Sequence, residues 1–105
     1  MNQFTITVKN VFRPEIGVNL AVKGLGDKLI LQPQETRTFE QSQDAKVLAF
    51  SVVPSSGGTE SPRACTIEVT NGTEKTTTAP RQWDIELTAT ESPVTAKVEA
   101  GTDEW

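Results

Sequence analysis

The stretch that decides the fold is residues 29–39, which read LILQPQETRTF. Its first three residues alternate between the two faces of an extended chain, so that Ile30 points away from both of its leucine neighbours. Pro33 restricts its own φ and has no N–H to donate, so a β-ladder cannot continue through it. The stretch therefore predicts a strand, a tight corner at residues 32–34 and a second strand over residues 36–40.

The same period of two recurs along the chain, and no segment shows a helical period. Threonine, valine and isoleucine are frequent, and β-branched residues pack well on pleated surfaces. The predicted strands cover residues 3–9, 18–23, 29–31, 36–40, 46–53, 64–70, 73–78, 82–89 and 94–99. We therefore predict an all-β protein, an antiparallel β-sandwich of immunoglobulin-like or jelly-roll-like type with eight or nine short strands. Residues 1–105 form a single domain in this prediction, with residues 101–105 as a flexible tail.

Four segments carry more specific predictions. Residues 46–53 are apolar on both faces, which is typical of a central strand that is covered on both sides. The pair Asn71-Gly72 predicts a type I′ hairpin turn, because both central residues of that turn need a positive φ. The returning strand, residues 73–78, is almost wholly polar and is predicted to be a sheet edge on which Lys75 discourages pairing with another edge. Residues 41–45 are polar and predict either one helical turn or a loop.

Composition limits the classes of partner. The net charge is −4, with 14 acidic and 10 basic residues, and the basic residues are scattered, so a nucleic-acid surface is not expected. No apolar run approaches the roughly 20 residues that cross a bilayer, so no membrane partner is expected. The N-terminus lacks the pattern of a signal peptide, and the single cysteine cannot form an intramolecular disulfide. We expect the chain to be made in a cytoplasm.

No set of residues predicts catalysis, a metal or a cofactor. The chain has no histidine, so Cys65 lacks the usual base, and its alternation with apolar neighbours predicts an inert packing thiol. One cysteine without histidine also excludes ordinary zinc sites. Asp84 and Glu86 share a strand face and resemble a catalytic carboxylate pair, but their alternation with Trp83, Ile85 and Leu87 favours the solvated side of an amphipathic strand. The prediction is a protein that is not an enzyme and has no cofactor.

Two segments are more apolar than their positions require, and they are the candidate partner contacts. Residues 12–16 read FRPEI within a loop, and Trp105 ends the chain. Tryptophan, phenylalanine and arginine are enriched at protein interfaces, and tryptophan and arginine are frequent among the residues that contribute most to binding. The predicted contact residues are Phe12, Arg13, Glu15, Ile16 and Trp105.

The first 40 residues resemble a known class of protein. The segments MNQFTITVKN at residues 1–10, VNLAV at residues 18–22 and LILQPQETRTF at residues 29–39 are similar to small β-sandwich structural proteins of tailed-bacteriophage particles. The resemblance implies a head decoration or cement protein of the virion, which folds alone and then docks on a preformed shell. Its implied partners are the major capsid protein or another virion protein and further copies of itself.

Three other functions remain open. A surface-exposed adhesion module that binds carbohydrate or a host protein would use Trp83 or Trp105 to stack on sugar, with residues 54–62 as the contact loop. A small enzyme would have to work with Asp84 and Glu86 alone. An inhibitor of a host enzyme carries no shared signature by which a sequence would reveal it.

Overall fold

The structure, a computed structural model, describes residues 1–11, 19–25, 29–54, 63–79 and 82–101, with the backbone alone at residues 63–65. These residues form nine β-strands and contain no helix, and so none that could span a membrane. The strands are β1 (Asn2–Asn10), β2 (Leu20–Lys23), β3 (Leu29–Leu31), β4 (Thr36–Gln43), β5 (Val47–Pro54), β6 (Arg63–Thr70), β7 (Gly72–Ala79), β8 (Gln82–Ala89) and β9 (Val94–Gly101).

The strands build two sheets that pack face to face. Sheet A has the order β4-β1-β9-β6, and sheet B has the order β3-β2-β5-β8-β7. Neighbouring strands are antiparallel except for β1 and β9, which are parallel. The predicted all-β sandwich is confirmed. Gly101, the first residue of the predicted tail, is buried and ends β9, and residues 102–105 lie outside the described residues.

The core is formed by every second side chain along the strands, as the period of two predicts. Alternate residues of β1, β8 and β9 are buried between the sheets, while their neighbours face outward. The largest fully buried side chains are Phe4, Ile6, Val8, Leu20, Val22, Leu31, Val52, Ile85, Leu87, Val94 and Val98. Burial of such side chains is the main favourable term in folding.

The central position predicted for residues 46–53 is confirmed, but its coverage on both faces is only partly correct. β5 is the middle strand of sheet B, and Val53 on its outer face is buried. Val47 on the same face is 44% exposed, and Ala49 is exposed as well. The outer face of sheet B is therefore exposed to solvent around these two residues. The candidate site described below lies on this exposed face.

The predicted corner at residues 32–34 is confirmed, and it carries the chain from sheet B to sheet A. Gln34 adopts a φ of 65°, and the Glu35 N–H donates to the Gln32 carbonyl at 3.0 Å. Asn10, a fully buried polar residue, holds this corner from the end of β1. Its backbone N–H donates to the Glu35 carbonyl at 2.9 Å, and its side-chain Nδ2 donates to the Leu31 carbonyl at 3.3 Å. Buried polar groups need such partners, because an unpaired one is costly.

The predicted Asn71-Gly72 hairpin is wrong. β6 lies at the edge of sheet A and β7 at the edge of sheet B, so the chain crosses between the sheets at this point. Asn71 has the positive φ of 65°, whereas the φ of Gly72 is not positive, so the two residues do not form a type I′ turn. The edge position predicted for residues 73–78 is confirmed, since β7 pairs with β8 alone among the described strands.

The prediction for residues 41–45 is wrong for its first three residues, whereas residues 44–45 lie in the bend between β4 and β5 as the loop alternative predicts. Residues 41–43 extend β4, where they pair with residues 2–4 of β1. These residues are polar because they lie at the outermost strand of sheet A, where one side of the ladder and much of each side chain face solvent. A polar sequence therefore marks an edge here rather than a loop.

The corner also predicts a dependence of stability on pH. The Glu35 carboxylate accepts a hydrogen bond from the Gln32 N–H at 2.7 Å and another from Arg37 Nε at 2.6 Å. These bonds, the backbone bond first, lower the pKa of Glu35 from its ordinary value. A lowered pKa in the folded state adds stability at neutral pH, which is lost as the pH falls through that pKa.

We expect Glu35→Gln to flatten the loss of stability on the acid side, measured as denaturation midpoints from neutral pH down through the usual carboxyl range of about pH 4. Glu40→Gln is the matched control, because Glu40 is an exposed carboxylate on β4, the strand that follows Glu35. Equal acid-side slopes for the wild type and Glu35→Gln would contradict the prediction.

Candidate functional site

The residues predicted as partner contacts, Phe12, Arg13, Glu15, Ile16 and Trp105, lie outside the described residues. Their described neighbours in sequence are adjacent in space. The Val11 N–H donates to the Ala100 carbonyl at 2.9 Å, and Asn10 is in register with Ala100 where β1 and β9 run parallel. The described residues next to both predicted segments therefore lie at the same end of sheet A, and the role of the segments as contacts stays a prediction.

The described residues contain a second candidate, an open depression on the outer face of sheet B. Its volume is about 490 Å³. Four strands, β2, β5, β8 and β7, contribute the residues that line it. We call it the sheet B groove, and its polar side chains are Lys23, Ser51, Lys75, Thr77, Asp84 and Glu86.

Strand register brings these side chains together. Ser51 is in register with both Lys23 and Asp84, and Asp84 is in register with Thr77. Opposite residues in an antiparallel ladder point to the same face, so these four form one row across four strands. Glu86 begins the next row, because it lies opposite Lys75 on one side and the small Ala49 on the other. Because the Ala49 side chain is short, the surface of the sheet is depressed at this position and forms the bottom of the groove.

Hydrogen bonds fix the acid at the centre of the groove. Asp84 Oδ1 accepts from Ser51 Oγ at 2.6 Å and from Gln82 Nε2 at 2.7 Å, and the side chains are partly buried. Lys75 and Glu86, by contrast, make no ion pair within 4 Å in the described part of the chain, where the pair of Arg37 with Glu35 is found instead. The groove therefore offers one rigid carboxylate beside an ammonium and a second carboxylate that are both available to a ligand.

The two carboxylates of the groove differ in exposure. Asp84 is half-buried and Glu86 is exposed, as predicted for the outer side of an amphipathic strand. Among the described residues no group of three or more histidine, cysteine, aspartate or glutamate side chains is placed to hold a metal ion. The groove carries positive, negative and hydroxyl groups at fixed positions on the sheet. Such a surface matches a polar partner with complementary charges.

The tryptophan proposed to stack on sugar lies elsewhere. Trp83 is only 4% exposed and packs in the core between the sheets, so its ring face is closed to a ligand. Trp105, residues 55–62 and the side chain of Cys65, which carried other predictions, lie outside the described residues. The carbohydrate hypothesis therefore rests on the sheet B groove alone within the described chain.

The groove could not be predicted from the sequence. The sequence pattern places Lys75 on an edge and Asp84 on a solvated face, and it indicates no role for Ser51. The missing information was the strand order, because residues 51, 75 and 84 become neighbours only when β8 lies between β5 and β7. The alternation along residues 82–89 indicates that Asp84 faces outward, and the polar character of residues 73–78 indicates that Lys75 is exposed; these are the signals that the sequence contains.

Comparison with protein families, with curated proteins and with solved structures finds no match for this chain.

Proposed function

We propose that this chain is a non-enzymatic structural protein of a tailed-bacteriophage particle, and that it docks on the capsid shell and stabilises it. The resemblance of residues 1–40 to small virion β-sandwich proteins supports this function. In the structure those residues supply β1 to β3 and the larger part of β4, which contribute to both sheets. The resembling segment is therefore part of the framework of the domain rather than an appendage.

The observation that carries the proposal is the sheet B groove. A decoration protein binds a shell that is already assembled, and a contact surface that is organised before binding lowers the entropic cost of docking. Asp84 is held in place by two hydrogen bonds, and it lies on a strand that is paired on both sides. Lys75 and Glu86 stand beside it without an ion pair to each other. Such a surface selects a partner by the order of its charges.

The partner that fits is a segment of a capsid protein that carries both an acidic and a basic side chain. Its carboxylate would face Lys75, and its ammonium or guanidinium would face Glu86. Charge-assisted hydrogen bonds of this kind give specificity, and they weaken as salt screens them.

A charge exchange tests this docking surface without altering net charge. In the double variant Lys75→Glu with Glu86→Lys, both charges remain on the same two strands and their order is reversed. We expect its affinity for empty shells of the phage that encodes it to fall at least about tenfold, equivalent to about 1.4 kcal/mol, in a co-sedimentation assay. The wild type should bind these shells, and more weakly as salt is raised.

Sheet A supplies a matched control. Glu68 and Lys97 are also in register on neighbouring antiparallel strands, and they face outward on the opposite side of the sandwich. The double variant Glu68→Lys with Lys97→Glu should bind shells as the wild type does. Loss of binding in this control alone would move the docking surface to sheet A, and a wild type that never sediments with shells would refute the capsid function.

A second candidate function uses the same groove. A volume of about 490 Å³ lies within the range of about 300–1,000 Å³ that is common for small-ligand sites, and the lining carboxylates and hydroxyls are groups that hydrogen-bond sugars. This favours an adhesion module that binds carbohydrate. Signal on a glycan array together with no binding to shells would replace the capsid proposal with this one.

A further inference from the structure

The two sheets have four edge strands, and three of them are protected against pairing with another strand. β3 is only three residues long. The pairing of β6 with β9 is shifted between Arg63 and Thr66. β4 carries a charged residue, Arg37, on its core-facing side, in register with the buried Val8. Short edges, irregular pairing and inward-facing charges are the devices by which natural proteins prevent edge-to-edge association.

The fourth edge, β7, differs from the other three. Its eight residues pair with β8 without a shift, and residues 73–78 are exposed on both faces. It contains no proline, and four of those six residues are threonine. Threonine has a high strand propensity, and threonine pairs across strands are favourable.

The backbone of β7 has a regular row of outward-facing groups. The Ala89 N–H donates to the Lys46 carbonyl, so Ala89 directs its backbone groups toward β5. Because this direction alternates along a strand, every second residue of β8 directs its groups toward β7. The register then places the backbone groups of Glu74, Thr76 and Thr78 on the side away from β8, where no described strand lies. These residues form a template for an added strand.

The occupant that fits this template is a second copy of β7. A two-fold axis normal to the sheet places the outer faces of both copies on the same side of the joined sheet. Such an axis lies between one residue and the same residue of the second copy, so each possible register is defined by that residue. An axis at Glu74 or at Lys75 would place like charges directly opposite each other, which is destabilising. An axis at Thr77 or Thr78 would leave a shorter overlap, since β7 ends at Ala79.

An axis at Thr76 satisfies every condition. It pairs all of residues 73–79 with the second copy. It places Lys75 opposite Thr77 of the second copy and Glu74 opposite Thr78, whose hydroxyl can donate to a carboxylate. Thr76, Glu74 and Thr78 are also the residues whose backbone groups face outward, so the pairing forms about six new backbone hydrogen bonds. Lys75 therefore selects one register of pairing instead of preventing all of them.

We propose that two copies of this chain associate through β7, antiparallel and about a two-fold axis at Thr76. The two copies of sheet B then form one continuous sheet across the dimer. Both sheet B grooves open on the same side, because the axis is normal to that sheet, and Lys75 and Thr77 of each groove lie near the axis. The dimer does not depend on the identity of the docking partner, and it would give any partner two linked binding surfaces.

Light scattering after size exclusion tests the association. Over a dilution series we expect the wild type to approach twice the chain mass of 11.4 kDa. Thr76→Lys would bring two ammonium groups together at the axis, so we expect it to shift the midpoint of dissociation at least about tenfold toward monomer. Thr36→Lys, an exposed threonine on the edge strand β4, is the matched control and should dimerise as the wild type does. Circular dichroism would check that both variants are folded.

Thiol cross-linking tests the register. Both variants carry Cys65→Ser, so that the introduced thiol is the only one in the chain. Thr76→Cys places its two Cα atoms about 5.5 Å apart in the dimer, a separation that a disulfide spans, and mild oxidation should link the copies. Thr73→Cys places them six residues apart along the ladder, about 20 Å, and should not link them. A wild type that is monomeric at every concentration, a dimer unaffected by Thr76→Lys, or equal cross-linking at both positions would each overturn the proposal.

Discussion

Replacing Ile85 with alanine is expected to lower the free energy of unfolding by about 3 kcal/mol. Ile85 is fully buried on β8, between β5 and β7 in sheet B, and its side chain packs in the core. Truncating a buried isoleucine removes the transfer free energy of the deleted carbons and leaves a cavity that the close-packed core fills only in part. Since a domain of this size has about 5–15 kcal/mol of stability, the change removes a large share of it.

Thermal or urea denaturation followed by circular dichroism measures this loss, with an expected decrease in Tm of about 10–15 °C. Ile30→Ala is the matched control, because the same side chain is truncated on the edge strand β3, where Ile30 is 46% exposed. That variant should lose about 1 kcal/mol or less. Equal losses from the two variants would contradict the assignment of Ile85 to the core and of Ile30 to the surface.

This pair of isoleucines shows which part of the fold could be predicted from the sequence. Ile85 shares a face with Trp83 and Leu87, and Ile30 points away from its leucine neighbours, so the period of two assigns each side chain to a face. The number of strands and the core-facing side of most strands follow from the same pattern. These properties are local, because neighbouring residues within one strand determine them.

The division of the strands between two sheets could not be predicted in this way. Consecutive strands stay in one sheet only for β2 with β3 and for β7 with β8, and the other described strands alternate between the sheets along the chain. A proline corner or an Asn-Gly pair reverses the chain in either case. Whether the returning strand pairs with the previous strand or crosses to the other sheet depends on which arrangement buries more apolar surface, and that is a long-range property.

The candidate site shows the same limit. Lys75, Ser51 and Asp84 belong to three strands. The sequence around Lys75 and around Asp84 indicates a polar face, whereas Ser51 lies in a segment that is apolar on both faces. Their assembly into one groove depends on the order β5-β8-β7 and on the register of both pairs. A sequence pattern assigns a residue to a face, whereas a binding site requires knowledge of which faces become neighbours.

Gly72→Ala is the second change with a large expected effect, a loss of about 3 kcal/mol in the free energy of unfolding. A Cβ atom at residue 72 would lie 2.6 Å from the Thr88 carbonyl oxygen and 3.3 Å from Val94 Cγ1. Carbon and oxygen do not approach this closely without a bond, so the backbone of β7 or of β8 would have to move. The nearest atom is a backbone oxygen of β8, which is paired on both sides and cannot rotate away as a flexible side chain would.

The crossing at Asn71 would transmit this displacement to both sheets. The Asn71 carbonyl accepts hydrogen bonds from Thr90 N–H at 2.9 Å and Glu91 N–H at 3.1 Å, and Asn71 Nδ2 donates to the Pro93 carbonyl at 2.9 Å. These bonds tie the end of β6 to the connection between β8 and β9. Moving residue 72 away from β8 therefore stretches bonds that hold sheet A and sheet B together.

Thr73→Ala is the matched control, since it creates the same alanine side chain one residue further along β7 at an exposed position, and it should change stability by less than about 0.5 kcal/mol. The pair also distinguishes two reasons for a glycine at residue 72. In a type I′ turn the glycine would serve a positive φ, and alanine would strain the backbone alone. In this structure the positive φ belongs to Asn71, and the glycine at residue 72 leaves room for the Thr88 carbonyl. If the Gly72→Ala variant were as stable as the Thr73→Ala variant, β7 and β8 would not approach each other as closely as this contact requires.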